Sequence, residues 1–570
     1  MRLASRMGNG LGFQIKYAKR INFRLLVFML ATLAGLSSAR SGAQTSVTTY
    51  HNDIGRTGQN LNETILTPSN VSATQFGKLF SQTVDGQVYA QPLYLPGLSI
   101  GGQTHNVVFV ATENDTVYAF DADTNAGTNA SPLWKAALLT SAHGAASGAT
   151  AFPASELAAD ITPLVGITGT PVIDPTTSTL YVVSKSLEGG NAVQRLHALD
   201  VATGNEKFSG PVVVTATIAG TGNGSVGGQL TFDPMWENQR PALLLVNGIL
   251  YIGFAAHGDN GPWHGWILAY NAATLTQVGV YNASPNGVGS GFWMSGSGLA
   301  ADVLNPSTKP YGRLFATTGN GDYTGKTPYA NSMDFGDSIL NLDLTNGVPK
   351  IQDEFTPSDQ AALDAEDGDL GSGGVMLIPT QTTGSVPNLL VQVGKEGTLY
   401  LVNRDNMSGY NSTDAVVQEM PYAVGVNGAW STAAYWNGNV YYMGRGDSLK
   451  SFALVNGKLS TSPTKSTEVY SYPGATPSIS ANGNTNGIVW TIDSEAYATS
   501  GNAILQAHNA SNVAQTLYSS STNSSRDSAG QAVKFAVPTV ANGKVYVGTG
   551  TQVSVYGLLG GAQQTAAPVI

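Results

Sequence analysis

Val107-Val108-Phe109-Val110-Ala111-Thr112, a short turn, and then Val117-Tyr118-Ala119-Phe120-Asp121-Ala122-Asp123-Thr124 decide the fold of this chain. An apolar strand turns into a second strand that ends in a small polar cluster, and the unit recurs. Leu180-Tyr181-Val182-Val183 leads to Leu196-His197-Ala198-Leu199-Asp200-Val201-Ala202-Thr203-Gly204, and Leu250-Tyr251-Ile252-Gly253-Phe254 leads to Ile267-Leu268-Ala269-Tyr270-Asn271-Ala272-Ala273-Thr274. Later copies centre on Phe315 with Asp343, Val391 with Asn403, Tyr441 with Leu454 and Trp490 with Asn509, and the last runs from Val545 to Leu558. Self-similar β units at this period predict an all-β propeller, in which each four-stranded antiparallel blade buries its faces against its neighbours. The anchors Phe109, Tyr181, Tyr251, Phe315, Val391, Tyr441, Trp490 and Tyr546 predict eight blades. Seven is the alternative, because the sixth and seventh copies are degenerate.

Working outward, residues 44–95 read as an opening segment whose stretch Phe76-Gly77-Lys78-Leu79-Phe80-Ser81 pairs with the final copy. That pairing joins the chain ends and removes two exposed sheet edges. Prolines at 92, 171, 241, 477 and 538 stand near the starts of inner strands, where no central ladder bond is lost. The long loops at 136–168, 209–237, 283–297 and 321–373 are expected to gather on one face and carry any binding. The best short helical stretch is Asp359 to Glu366, and residues 559–570 read as a flexible tail.

Residues 1–43 read as a signal peptide. Arg2, Arg6, Lys16, Lys19, Arg20 and Arg24 precede the apolar run Leu25 to Leu36, and Ser41-Gly42-Ala43 offers small residues for cleavage before Gln44. The apolar run is shorter than the roughly 20 residues a membrane-spanning helix needs. An exported protein, periplasmic or secreted, is therefore expected, with no membrane span after processing, acting as a monomer.

The chain of 570 residues carries 27 Lys+Arg against 37 Asp+Glu, and all seven basic residues of the leader are lost with it. An acidic mature chain repels phosphate backbones, which argues against a nucleic-acid partner. With no cysteine, disulfides, thiolate metal sites and c-type haem attachment are excluded, so no haem is expected. No nucleophile elbow points to hydrolysis.

Several of these segments resemble the quinoprotein-like propellers related to pyrroloquinoline quinone (PQQ) dehydrogenases. Tyr50-His51-Asn52-Asp53-Ile54-Gly55-Arg56-Thr57-Gly58 is similar to their opening segment. Leu199 to Gly204 is similar to their blade signature, in which a Trp follows; Trp134 holds that place in the first copy and Phe208 in the second. The stretch Thr317 to Arg404 resembles the alcohol-oxidising members. There the resemblance implies Asn320, in Thr318-Gly319-Asn320-Gly321, as a Ca²⁺ ligand. It implies Asp369, in Glu366-Asp367-Gly368-Asp369, as the catalytic base, and Lys395, with Tyr400 and Asn403-Arg404 after it, as the cation that contacts the quinone. The family's metal-binding Glu corresponds to the stretch Ala255 to Gly261, where Asp259 is the carboxylate. Its floor Trp would precede Asn320: a gapless reading places Gly296 there, and Trp293 lies three residues away. The adjacent cysteines that cap the quinone in many members are absent.

The chemistry needs these types. Ca²⁺ takes oxygen ligands and polarises a carbonyl, a buried carboxylate abstracts a proton, and an ammonium stabilises negative charge on a reducing quinone. The same residues also suit plain structure. Asn320 between glycines is a turn residue, Asp367 and Asp369 fit a turn, and Lys395 fits a hairpin tip. His257 and His264 could be metal ligands across a hairpin, but no third or fourth ligand is evident, and a loop with Gly258, Gly261 and Pro262 whose aromatics pack between blades is the favoured reading. Two functions are therefore expected: a ligand- or protein-binding module on a degenerate quinoprotein scaffold or, as the alternative, a PQQ- and Ca²⁺-dependent alcohol or sugar dehydrogenase.

Overall fold

The computed structural model describes residues 44–560 apart from 158–160, 305 and 308. The leader 1–43 and the tail from 561 lie outside the described residues. Among the described residues eight sheets built on antiparallel strands, each of four or more, follow one another along the chain, with one two-stranded hairpin, Thr217–Ala219 with Gln229–Thr231, besides; the seven-bladed alternative is excluded. Blade 1 comprises Leu93–Ile100, Gln103–Thr112, Thr116–Asp121 and Trp134–Ala137. In blades 2 to 7 the second strands are Thr179–Glu188, Ile249–Ala256, Arg313–Thr317, Leu389–Val393, Asn439–Tyr442 and Thr485–Asp493. Blade 8 takes three strands from the C-terminal stretch, Thr539–Ala541, Lys544–Gly548 and Gln552–Leu558. Its outermost strand is Phe76–Thr83, paired antiparallel with Phe76 opposite Leu558. A strand from the start of the chain thus covers the edge that the last blade would otherwise expose.

The repeat has a physical explanation on both sides of each blade joint. The polar cluster after the third strand is an Asx turn. The Asp121 carboxylate accepts the Asp123 and Thr124 amides at 2.9 and 3.0 Å, and Asn271 does the same for Ala273 and Thr274 at 2.9 and 3.1 Å. All eight anchors fall on second strands, and four of them are tyrosines whose hydroxyls donate to this turn in the next blade. Tyr181 reaches Ala272 O, Tyr251 reaches Gly347 O, Tyr441 reaches Ala510 O, and Tyr546 reaches Ala122 O across the closure, at 2.9–3.3 Å. Trp134 of blade 1 also spans a joint: its indole N–H donates to Val201 O at 2.9 Å and its ring lies on Gly204. A Cβ at Gly204 would sit 2.7 Å from that ring, and its φ of +73° is one that glycine adopts without strain. The signature glycine and the Trp before it are two halves of one contact between blades.

The opening segment does more than supply a strand. Residues 47–60 pass through the ring and bond the first strand of one blade after another. Val47 pairs with Tyr94 of blade 1, and Thr48 O accepts the Ile173 amide of blade 2. Ile54 O, Gly55 O, Thr57 O and Gly58 O then accept Ala301, Leu377, Tyr435 and Ile479 of blades 4 to 7. The Asn60 amide donates to Val540 O of blade 8, and the fully buried Arg56 reaches Leu243 O beside blade 3. One segment touching seven first strands and the residue that leads into the eighth shows that these strands surround it along the axis. The sequence reading did not place it there.

Helical structure is sparse. Gln360–Ala365 forms a single α-helical turn and a half inside the stretch expected to be helical. A second short helix, Ser524–Asp527, was not expected. No helix among the described residues is long and apolar enough to cross a membrane.

Candidate functional site

Up-and-down strands put two kinds of connection on one face of a propeller: those leading into each first strand and those joining second to third strands. Asn320 and Lys395 sit on second-to-third connections of blades 4 and 5, and Trp293 and Asp369 on the connections leading into the same two blades. Residues 102 positions apart are thereby brought to one place on the axis.

The contacts are direct. The Asn320 main-chain N–H donates to Asp369 Oδ1 at 2.8 Å, and its side-chain amide donates to Asp367 Oδ1 at 2.9 Å. Lys395 Nζ bridges the two carboxylates, 2.6 Å from Asp367 Oδ1 and 2.7 Å from Asp369 Oδ2. The same ammonium lies 5.8 Å from the centre of the Trp293 ring. Gly319 makes the approach feasible, since a Cβ there would lie 2.0 Å from Asp369 Oδ1 and 3.2 Å from Trp293 Nε1. The turn is fixed from behind by Ser290, whose amide donates to Asn320 O at 2.6 Å. The amide oxygen of Asn320 is buried and has no hydrogen-bond partner.

Electrostatics separates the two carboxyls. Burial pushes the Asp369 carboxyl above the ordinary carboxylate range, with the Lys395 charge pulling the other way. Burial also acts on the more exposed Asp367, but the bonds from Lys395 and Asn320 prevail and hold it below that range. Burial works against the Lys395 ammonium, and the charges of Asp369 and Asp367 outweigh it and raise its pKa. The site also contains a residue that sequence reasoning missed. Asp337 accepts the Leu370 amide at 3.0 Å, leaves its second oxygen without a partner, and is pushed by burial up to about 8. It therefore keeps its proton at neutral pH, behind the Asn320 turn and beside Asp369. No local motif marks it, because its partners come from blade 5.

Arg404 and the two histidines of blade 3 have structural partners. Arg404 is not at this site: its guanidinium donates to Asp302 Oδ2 at 2.8 Å and to Ile378 O and Leu389 O at 2.8 and 2.6 Å, forming a buried joint between blades 4 and 5. The strand Leu399–Asn403 separates it from Lys395, so the two cations lie at opposite ends of one blade. The pair His257 and His264 forms no shared metal site. His257 Nε2 meets Lys185 Nζ at 2.9 Å, whereas His264 is held between Ser284 Oγ and Asn223 O at 2.9 and 2.8 Å. Asp259 lies in the turn after the second strand of blade 3, at φ 56°, and is not a partner in the bonds that join Asn320, Asp367, Asp369 and Lys395.

Around the axis the site continues as a collar of rings and cations. Ser295, two residues from Trp293, accepts Arg240 Nη2 on its carbonyl at 3.1 Å. The Arg240 guanidinium faces Tyr89 and Phe535 at 5.6 and 5.2 Å. Phe535 meets Tyr472 at 6.1 Å, Tyr472 meets Trp430 at 5.2 Å, and Arg445 lies 5.7 Å from the Tyr472 ring and 5.9 Å from the Trp430 ring. Lys534 adds a fourth cation, 5.5 Å from both Tyr497 and Phe535. In a chain with an excess of acidic residues, this face concentrates positive charge among aromatic rings.

No family model matches the sequence, and no curated protein matches it. Solved structures do. A quinohemoprotein alcohol dehydrogenase from Pseudomonas putida superposes with a TM-score of 0.56 at 15 % identity, covering 93 % of this chain and 82 % of its own. One from Comamonas testosteroni gives 0.55 at 16 % identity, covering 93 % and 83 %. A europium-containing methanol dehydrogenase gives 0.56 at 13 % identity, covering 91 % and 99 %. The chain has the eight-bladed quinoprotein-like propeller fold of these dehydrogenases.

Proposed function

We propose that this protein binds a planar, anionic quinone cofactor of the PQQ type on the axial face that carries Trp293 and Lys395. The observation that carries the reading is the collar itself: Lys395, Arg240, Arg445 and Lys534 lie within 5.2–5.9 Å of the rings of Trp293, Tyr89, Phe535, Trp430, Tyr472 and Tyr497. Aromatic faces take up a flat ring system, and ammonium and guanidinium groups take up its carboxylates, with Arg doing so bidentately. The fold shared with quinohemoprotein alcohol dehydrogenases supports the same ligand class. The export-type leader supports a protein that meets its cofactor outside the cytoplasm.

A second reading, alcohol or sugar oxidation, is favoured by one feature. Asp369 is buried beside the partnerless Asn320 oxygen, and the two supply oxygen donors of the kind Ca²⁺ takes. With a quinone and Ca²⁺ bound, the cofactor would supply the redox chemistry. This chain's own part is to hold Asp369 as a proton acceptor, with Lys395 and the Asn320 amide fixing its two oxygens. Asp337, protonated at neutral pH, keeps a second negative charge away from that carboxylate.

Equilibrium dialysis of the purified chain against PQQ, with and without Ca²⁺, tests the binding reading. One quinone per chain is expected, with at least a tenfold loss of affinity in Lys395→Ala and in Arg240→Ala. The absence of saturable binding, or binding indifferent to both variants, would overturn it. Dye-linked oxidation of a primary alcohol by the loaded protein, abolished in Asp369→Asn with quinone binding retained, tests the second reading separately.

A further inference from the structure

Seven histidines occur in the chain, and two of them meet on one carboxylate of blade 2, apart from the bonds that join Asn320, Asp367, Asp369 and Lys395 in blades 4 and 5. His197 lies on the third strand of blade 2, Asn191–Asp200, and Glu206 returns beside that strand through a bridge with Leu199. His143 arrives from the 3-10 turn Ser141–His143, in the long stretch that links blades 1 and 2. His197 Nδ1 is 2.7 Å from Glu206 Oε1, and His143 Nδ1 is 2.9 Å from the same oxygen. One ligand atom from each residue falls within a sphere of contacts no wider than 4.8 Å.

The arrangement is poor as a plain hydrogen-bond network. Two imidazoles crowd one carboxylate oxygen, while Glu206 Oε2 is buried with no partner at all. Sharing the donors between both oxygens would avoid the cost of about 1–3 kcal/mol that an unsatisfied buried acceptor carries. The same arrangement suits a metal ion. Tetrahedral zinc with bonds of about 2.0–2.1 Å sets its donors about 3.3 Å apart. The two nitrogen–oxygen separations, 2.7 and 2.9 Å, need to open by only about half an ångström, and His143 sits on a short turn ended by Gly144. The far nitrogen of His197 is already oriented, with Nε2 2.9 Å from Ser184 Oγ, the kind of outer partner that metal-bound imidazoles have.

The surroundings leave the carboxylate's charge available. Arg195 is paired with both oxygens of Glu188, and Lys207 faces Asp200 at 3.8 Å. His197 is sealed off at 0 % exposure, whereas His143 and Glu206 keep 11 % and 10 %, enough for an ion to enter and for one water to complete the shell.

We propose that His143, His197 and Glu206 form a binding site for one divalent transition-metal ion of the zinc type, which clips the stretch between blades 1 and 2 onto blade 2. Two imidazoles select zinc, nickel or copper over calcium and magnesium, so the site is distinct in its chemistry from the axial one. It stands independently of the quinone reading.

The test uses the full mature chain, stripped with a chelator and titrated with Zn²⁺ by calorimetry, with Co²⁺ as an optical probe. One ion per chain is expected, together with a visible Co²⁺ spectrum of tetrahedral intensity and slower proteolysis of residues 137–168. His143→Ala and Glu206→Gln should each weaken Zn²⁺ binding by at least about tenfold while the far-ultraviolet spectrum stays unchanged, and Ser184→Ala should weaken it less. Glu206→Gln is isosteric, so folding of that variant keeps the test decisive if His143→Ala is damaged. Failure of the stripped chain to take up a saturable ion would overturn the proposal. So would uptake that both variants leave unchanged, which would mean an adventitious ion only.

Discussion

Replacing Arg56 by methionine removes the one cation that ties the channel segment to itself and to the wall of the ring. The guanidinium is fully buried and donates to Thr49 Oγ1 at 2.7 Å, Tyr50 O at 2.9 Å, Leu299 O at 2.9 Å and Leu243 O at 3.3 Å. Its bed is cut to fit: a Cβ at Gly298 would lie 2.5 Å from the guanidinium. Methionine fills much of the volume but leaves four buried acceptors without a donor, at roughly 1–3 kcal/mol each. Against this, burial lowers the Arg56 pKa from 12.5 to about 10, so the native chain bears a charging cost of roughly 3 kcal/mol that methionine removes. The loss outweighs the relief, and a net destabilisation of about 3 kcal/mol is expected. Urea unfolding followed by tryptophan fluorescence reads it as a lower midpoint at unchanged slope. A midpoint shift worth less than about 1 kcal/mol would refute the view that Arg56 organises the axial segment.

Other predictions follow from the same contacts. Gly204→Ala places a methyl against Trp134 at a positive φ and should cost about 2 kcal/mol, read as a lower melting temperature; an unchanged one would contradict the blade-joint account. Deleting residues 44–83 bares the Gln552–Leu558 edge and removes the axial segment, and should give aggregates by light scattering, whereas a monodisperse product would count against closure by this strand. The Asp337 carboxyl is raised from 3.8 to about 8, so the folded state keeps a proton that the unfolded chain has lost. Its contribution to stability is complete below about pH 4 and declines as pH rises through about 8. Asp337→Asn lacks this decline and should gain on the native chain by a few kcal/mol between those limits, a difference that parallel urea titrations at pH 4 and pH 8 measure. Mass spectrometry of the exported protein should find its first residue at or near Gln44.

Blade architecture was legible because it is written locally. Strand, turn and strand recur along the chain, and several repeats end in an Asx turn, as at Asp121, Asp200, Asn271, Asn403 and Asn509, so Phe109, Tyr181, Tyr251 and their counterparts identify second strands without long-range information. The convergence of Asn320, Asp369 and Lys395 was legible only through a resemblance, because nothing in a 49-residue separation states that two blades present them to one axis. Arg404, nine residues from Lys395 in the same matched stretch, lies beyond a complete strand and belongs to the joint at Asp302. The channel segment was hidden for a different reason. Its bonds run from main chain to main chain, from Ile54 to Ala301 and from Gly58 to Ile479, and carbonyl acceptors leave no mark on side-chain pattern. Asp337 and the pair of His143 with His197 share that difficulty, since each depends on partners from another blade or a distant loop.

The most direct measurement is a crystal structure of the mature chain grown with PQQ and Ca²⁺. The account predicts quinone density on the axis, its ring plane against Trp293 and its oxygens within hydrogen-bond reach of Lys395. Density for the quinone at any other place, or a fully ordered collar with none after saturation with the cofactor, would contradict it.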